Sequence, residues 1–231
     1  MLGFIVALGV GFFAVRGCRQ DRPTVTEEDL GPRIRVELHG EEPQIGARDA
    51  VVTIIAFTDY ECGFCARAEA PLHAAQGAFG DDVRILYKHM PMPRHPGALP
   101  AARLAWAAHR QGRFFDLHPL LFDAQGDVEE MFAAARRIGL DMARLQADVL
   151  DEAAESALAA DFLAGSRAGV TGTPTFFVNG HRYVGVRDRE AWLEVLEYEL
   201  AEARRTAAEG SARPRGASTP AARHEKEPND G

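Results

Sequence analysis

Residues Val51 to Phe57 form an almost unbroken apolar, β-branched run, and no other feature narrows the fold as far. A strand built only of apolar residues has no face to offer water, so it must lie in a sheet covered on both sides. A Cys-Gly-Phe-Cys motif, Cys62 to Cys65, follows the run closely. Beyond it Ala68, Leu72, Ala75 and Phe79 recur with helical spacing. Pro71 falls inside that pattern and predicts a kink or a late helix start. Val83 to Tyr87 reads as the next strand. Strand, helix, strand in this order favours a parallel pair joined by a crossover helix.

The remaining pattern extends that core. Ile34 to Leu38 alternates apolar and polar residues and predicts a half-buried strand. Residues 97–165 carry no strand signal. Leu104 and Ala108, then Phe114 to Phe122, then Met131 to Ile138, then Met142 to Leu150 predict successive helices, punctuated by Gly126 and Gly139. Phe176 to Val178 and Arg182 to Val184 flank Asn179-Gly180, a hairpin signal. Asp188 is placed to cap a last helix carrying Trp192, Val195, Leu196 and Leu200. The expected order is β–β–α–β, a helical insert over about 97–165, then β–β–α. A central mixed sheet with helices on both faces is the packing solution.

At 231 residues and 46% hydrophobic content the chain holds one packed domain, expected over 33–203, rather than two large ones. Residues 19–32 read as a linker broken by Pro23 and Pro32, and 204–231 as a disordered tail without apolar period. A net charge of −8 and the lack of a basic stripe argue against nucleic acid as a partner. Three cysteines exclude a disulfide-stapled scaffold.

Leu2 to Val15 is an apolar and glycine run that would make a helix about 21 Å long, short against roughly 30 Å of bilayer hydrocarbon. It suits the core of a signal peptide, although no basic residue precedes it, and Arg16, Arg19 and Arg22 come after it. Val15-Arg16-Gly17-Cys18 resembles a lipoprotein box in its glycine but not in its arginine. Cys18 is therefore either a lipidation site or a lone cysteine beside an anchor at 1–18. Both readings put the folded part outside the cytoplasm.

Two thiols separated by two residues serve three chemistries. A zinc site would need a second Cys or His pair at matching spacing, and His73, His89, His95 and His118 show none in the sequence. A structural disulfide closing so short a loop would stabilise the fold little. A redox dithiol fits best, because a helix start offers unpaired N–H groups and the positive end of the dipole to a Cys62 thiolate. Cys65, one turn on and facing the sheet, can attack a mixed disulfide. Gly172-Thr173-Pro174-Thr175 precedes the hairpin, and a proline opening a strand costs no ladder bond. From the residues alone Pro174 reads as trans, as most X-Pro bonds are.

Val52 to Cys65, Tyr87-Lys88-His89-Met90-Pro91, Gln111 to Phe115 and Gly169 to Gly180 together resemble the DsbA-like branch of the thioredoxin superfamily. The resemblance covers about 45–203. It implies an α/β thioredoxin-like fold with an inserted helical segment, and an extracytoplasmic thiol–disulfide oxidoreductase needing no cofactor or metal. Cys62 would attack, Cys65 would resolve, and the two would form the redox disulfide. Pro174 would be cis, with Thr173 and Phe64 at the substrate. Substrates would be unfolded or exported proteins, held by main-chain pairing. A membrane partner, a quinone-linked oxidase or an electron donor, would reset the pair. The alternatives are a reductase or isomerase, and a thioredoxin-fold chaperone or adaptor without turnover. Two departures stand out. Phe64 occupies the place of a histidine in strongly oxidising relatives, and Ala56 that of a buried acid, which leaves the proton acceptor for Cys65 unassigned. Asp59 and Glu61 would raise the Cys62 pKa if they faced it; Glu61 is expected to point to solvent.

Overall fold

The computed structural model describes residues 30–212. Cys18, the segment 1–18, the linker up to residue 29 and the tail beyond 212 lie outside the described residues. Among the described residues five strands form one mixed sheet: β1 (Gln44–Ile45), β2 (Val52–Thr58), β3 (Val83–His89), β4 (Thr175–Val178) and β5 (His181–Val184), in the order β1-β3-β2-β4-β5. β2 pairs parallel with β3, Val52 opposite Val83 and Thr58 opposite His89. On its other side β2 pairs antiparallel with β4, Ile54 opposite Val178 and Phe57 opposite Thr175. The crossover between β2 and β3 is α1 (Gly63–Phe79), which starts directly after Cys62 and runs through Pro71 rather than starting late.

Alternate residues of the central strands feed two cores. Ile54, Ala56, Ile85, Tyr87, Phe176 and Val178 pack in the larger core with Leu72 of α1 and Trp192 of the last helix. Ile55, Phe57, Leu86 and Phe177 face the opposite core with Ala164, Ala168 and Val170. β2 is thus covered on both faces, as its composition requires. The insert is all helical: α2 (Ala98–Arg110), α3 (Phe114–Asp123), α4 (Val128–Arg137), α5 (Met142–Val149) and α6 (Glu152–Arg167). Asp127, Asp141 and Asp151 cap three of these helices, each accepting backbone N–H bonds of the first turn. Asn179 and Gly180 turn the β4–β5 hairpin with φ of 45° and 96°, the left-handed region such a turn requires.

Two boundaries differ from expectation. Ile34 to Leu38 is not a strand; Ile34 N–H bonds Gly180 O at 2.8 Å, but no ladder follows. Its alternation records one-sided burial, with Val36 packed on the second core. The chain then turns at Gly40 (φ 89°), and Gln44–Ile45 supplies the edge strand instead. α7 (Arg189–Ala212) runs past the tail boundary expected at 204, held there by Arg205 bonded to Glu202 and Glu209 and by Arg204 bonded to Asp82. Among the described residues no helix is long and apolar enough to cross a membrane.

Candidate active site

The parallel strand β2 delivers the chain to the sheet's end, where Cys62 takes the N-cap position of α1 with extended backbone (φ −84°, ψ 109°). Its carbonyl accepts N–H bonds from Cys65 at 2.9 Å and Ala66 at 3.2 Å. Both cysteines are free thiols. Cys62 keeps 4% of its surface and Cys65 none, so the attacking position is less open than a helix start suggests, while the asymmetry between the two sulfurs stands.

The loop before β4 closes the site. The Thr173–Pro174 peptide is cis, as the resemblance implied and the residues alone did not. The Cys62 thiol donates to the Thr173 carbonyl at 3.4 Å. The Thr173 hydroxyl is buried without a full hydrogen bond and acts on both sulfurs in favour of a thiolate. Sequence and structure therefore bring Cys62, Cys65, Thr173 and Pro174 to one place.

The two thiols are driven apart in acidity. A hydrogen bond from the Cys65 thiol pulls Cys62 down to about 5; burial opposes it, and the N–H groups of Cys65 and Phe64 with the Thr173 hydroxyl assist. Burial pushes the Cys65 thiol well up, and the proton it shares with Cys62 adds to this. A nucleophilic thiolate beside a protonated, shielded thiol is the arrangement that disulfide exchange uses.

The neighbouring acids are not aimed at Cys62. Asp59 is buried and accepts from Glu61 N–H, Met92 N–H and His95 Nδ1, at 2.9, 2.8 and 2.8 Å. Glu61 does not point to solvent. Its Oε2 accepts Gly97 N–H at 2.6 Å, at the N-terminus of α2, where a carboxylate meets the helix dipole. Gly97 and Gly126 make this junction, since a Cβ on Gly97 would stand 2.4 Å from the Gly126 backbone. Phe64 is 58% exposed, and the Arg67 guanidinium sits 4.4 Å above its ring. That cation was missed in the sequence, although helical i,i+3 spacing could have found it.

Two further clusters escaped sequence reading. Glu69, His73, His118, Tyr60 and Tyr87 hydrogen-bond together behind α1. In the sequence only the i,i+4 spacing of Glu69 and His73 points to it. On the other side of the sheet His39, Glu42 and Asp161 bring ligand atoms within 4.8 Å of one another. Lys88 Nζ already bonds both carboxylates there, at 2.9 and 2.8 Å, so a cation is built in.

A mixed sheet with a helical insert, a dithiol at the start of the crossover helix and a cis-proline against it define a protein of the thioredoxin-like class, with a dithiol site suited to thiol–disulfide exchange. The family model described as Thioredoxin matches residues 39–198, and the chain belongs to that family. A thioredoxin-like oxidoreductase from Silicibacter pomeroyi DSS-3 superposes with a TM-score of 0.64 at 28% identity, covering 72% of this chain and 94% of that one. The thiol–disulfide exchange protein α-DsbA2 from Wolbachia pipientis gives 0.62 at 23% identity, over 71% of this chain and 88% of its own, a likeness of fold. A periplasmic thioredoxin-like protein from Salmonella enterica serovar Typhimurium gives 0.61 at 24% identity, over 70% and 91%. Among curated proteins, a Na(+)/H(+) antiporter NhaA 1 from Mycobacterium sp. strain KMS is 36% identical over 157 residues, which is 66% of this chain and 26% of that protein. The chain thus spans about a quarter of the length of the curated relatives it matches.

Proposed function

We propose that the protein exchanges disulfides with exported or unfolded proteins outside the cytoplasm, through the Cys62/Cys65 pair. Cys62 attacks, Cys65 resolves, and the extended substrate pairs with the backbone at Thr173 beside Pro174, with Phe64 and its Arg67 at the rim. The observation that carries this reading is the split between the two thiols at the cis-proline loop: Cys62 lowered to about 5 by the bond from the Cys65 thiol, Cys65 raised by burial and without exposed surface. A binding module without turnover has no use for that split. The periplasmic description of a structural neighbour and the apolar run Leu2 to Val15 support a location in the cell envelope. A membrane redox partner would reset the pair, and fatty-acid labelling lost in Cys18→Ser would mark Cys18 as lipidated.

The test is trapping. Cys65→Ser should accumulate mixed disulfides between Cys62 and envelope proteins, visible on non-reducing gels and absent in Cys62→Ser. A clean lane from Cys65→Ser would refute the assignment. Equilibration of the pair against glutathione then fixes the direction of electron flow: a potential near the glutathione poise or lower favours the reductase.

A further inference from the structure

The residues around Cys62 leave one sign of charge unmatched. The chain as a whole is acidic, with a net charge of −8. Yet the carboxylates nearest the dithiol are engaged inside the fold. Asp59 is buried and takes three donors, Glu61 N–H, Met92 N–H and His95 Nδ1. Glu61 takes Gly97 N–H. Glu69, one turn beyond Cys65, accepts the Tyr87 hydroxyl at 2.8 Å and lies within bonding distance of His73 and His118. Past the hairpin, Asp188 caps α7 by accepting Ala191 N–H at 2.8 Å.

The arginines are not matched in this way. Arg67 lies on α1, and Arg94 in the loop whose Met92 and His95 hold Asp59. Arg187 comes two residues after Gly185, whose N–H bonds Pro174 O at 3.0 Å. None of the three pairs with a carboxylate among the described residues. Arg67 and Arg94 are exposed, whereas Arg187 is half-buried with its guanidinium 4.9 Å over the Tyr183 ring.

Arg67 is the cation placed beside the attacking thiol. Its side chain folds back along α1, as helical side chains lean toward the N-terminus. The guanidinium carbon lies 4.4 Å from the centroid of the exposed Phe64 ring, and Nη1 is 3.8 Å from where a Cβ on Gly63 would stand. Gly63 and Phe64 are the two residues that follow Cys62, and consecutive Cα atoms are about 3.8 Å apart. An extended peptide joined to Cys62 advances about 3.3 Å per residue, so a side chain one or two residues from its cysteine is within reach of the guanidinium. The ring holds the cation in place without using its five N–H donors, which suit a carboxylate. The Cys62 thiolate does not account for Arg67. The Cys65 thiol lowers Cys62 first, and the N–H groups of Cys65 and Phe64 with the Thr173 hydroxyl assist.

Given the redox reading of Cys62 and Cys65, we propose that Arg67 is a specificity residue that selects cysteines flanked within two residues by Asp or Glu. Arg67 holds the flanking carboxylate, and Arg94 and Arg187 add a weaker field of the same sign. Cysteines flanked by Lys or Arg are turned away by the same charge, since specificity uses repulsion as well as attraction. Arg67 takes no part in the sulfur chemistry. It touches the substrate only at the carboxylate.

The experiment uses the reduced full chain and short peptides whose one cysteine carries a 2-pyridyl disulfide. Cys62 Sγ bonds the peptide sulfur, the bond to the pyridyl sulfur breaks, and pyridine-2-thione leaves with the electron pair and is followed by its absorbance. The cysteine is flanked on both sides by Asp, by Asn or by Lys. An exposed ion pair is worth about 0.2–1 kcal/mol, so the Asp peptide should react about two- to fivefold faster than the Asn peptide at low salt, and the Lys peptide slower by a similar factor. At about 1 M salt, where charges are screened beyond about 3 Å, the three rates should converge. Arg67→Gln should bring most of the difference back toward one, and Arg67→Glu should reverse the order. The ratio of Asp to Lys rates at one pH cancels any change in the Cys62 thiolate, so a merely structural role for Arg67 would not move it. Arg94→Gln and Arg187→Gln should each reduce the ratio less than Arg67→Gln. Equal rates for the three peptides in the parent, or a ratio unchanged in Arg67→Gln, would overturn the assignment. A parent that reacts with none of the peptides would instead overturn the redox reading.

Discussion

Replacing Cys65 by alanine removes the donor that contributes first to the low pKa of Cys62, and leaves the backbone N–H groups and the Thr173 hydroxyl in place. A hydrogen bond to a charged group is worth about 1.5–3 kcal/mol. At about 1.4 kcal/mol per pH unit, its loss should raise the Cys62 pKa by about 1–2 units, from about 5 to between about 6 and 7. Burial works against the thiolate, and the smaller side chain opens the site to water, which favours the lower end of that range. Cys65→Ser keeps an O–H donor at the same position and should hold Cys62 closer to its parent value. The assay is the pH dependence of alkylation, confirmed by thiolate absorbance in the ultraviolet. The same shift governs stability. A group depressed from 9.0 to about 5 stabilises the reduced fold fully above the unfolded pKa, and this contribution is lost as pH falls from about 9 toward about 5. In Cys65→Ala the loss should be complete by about pH 6–7. Equal Cys62 pKa values in the alanine and serine proteins would refute the reasoning and leave the acidity to the helix start alone.

Asp161→Asn should leave Lys88 buried with only Glu42 to balance it, and breaking such a pair costs about 3–5 kcal/mol. The remaining carboxylate places the effect at the low end, a fall in Tm of about 6–12 °C by circular dichroism; a fall under 2 °C would mean water reaches Lys88. Gly165→Ala would put a Cβ 2.9 Å from the Phe57 ring and 3.0 Å from Met90 Sδ, and overpacking of this kind should destabilise by about 1–3 kcal/mol in urea unfolding. Phe64→His should make the disulfide more oxidising by a few tens of millivolts, at about 30 mV per 1.4 kcal/mol, and more so toward pH 6.

What could be read in the sequence was what a single segment states about itself. β2 had no polar face, so only a doubly covered position suited it. Asn179-Gly180 had the backbone freedom that its turn requires, and the cysteine spacing fitted one helical turn. The misreadings concern residues whose state depends on distant ones. Ile34 to Leu38 alternates because Val36 is buried in the second core, and alternation from one-sided burial looks the same as a ladder. Glu61 reads as a solvent-facing acid because its partner is the N–H of Gly97, which no local pattern announces. Lys88 shows the reason most clearly. The apolar pattern of β3 ends at Tyr87, yet the strand continues to His89 with Lys88 keeping 1% of its surface. A buried ammonium is tolerated only with opposite charge at contact distance. Glu42 and Asp161 provide it from a loop before β1 and from α6, and Asp161 also accepts His89 N–H at 2.9 Å. One aspartate thereby satisfies the charge that would have ended the strand and a backbone donor of its last residue. It also fixes α6 against β3, which joins the helical insert to the sheet on the face opposite α1.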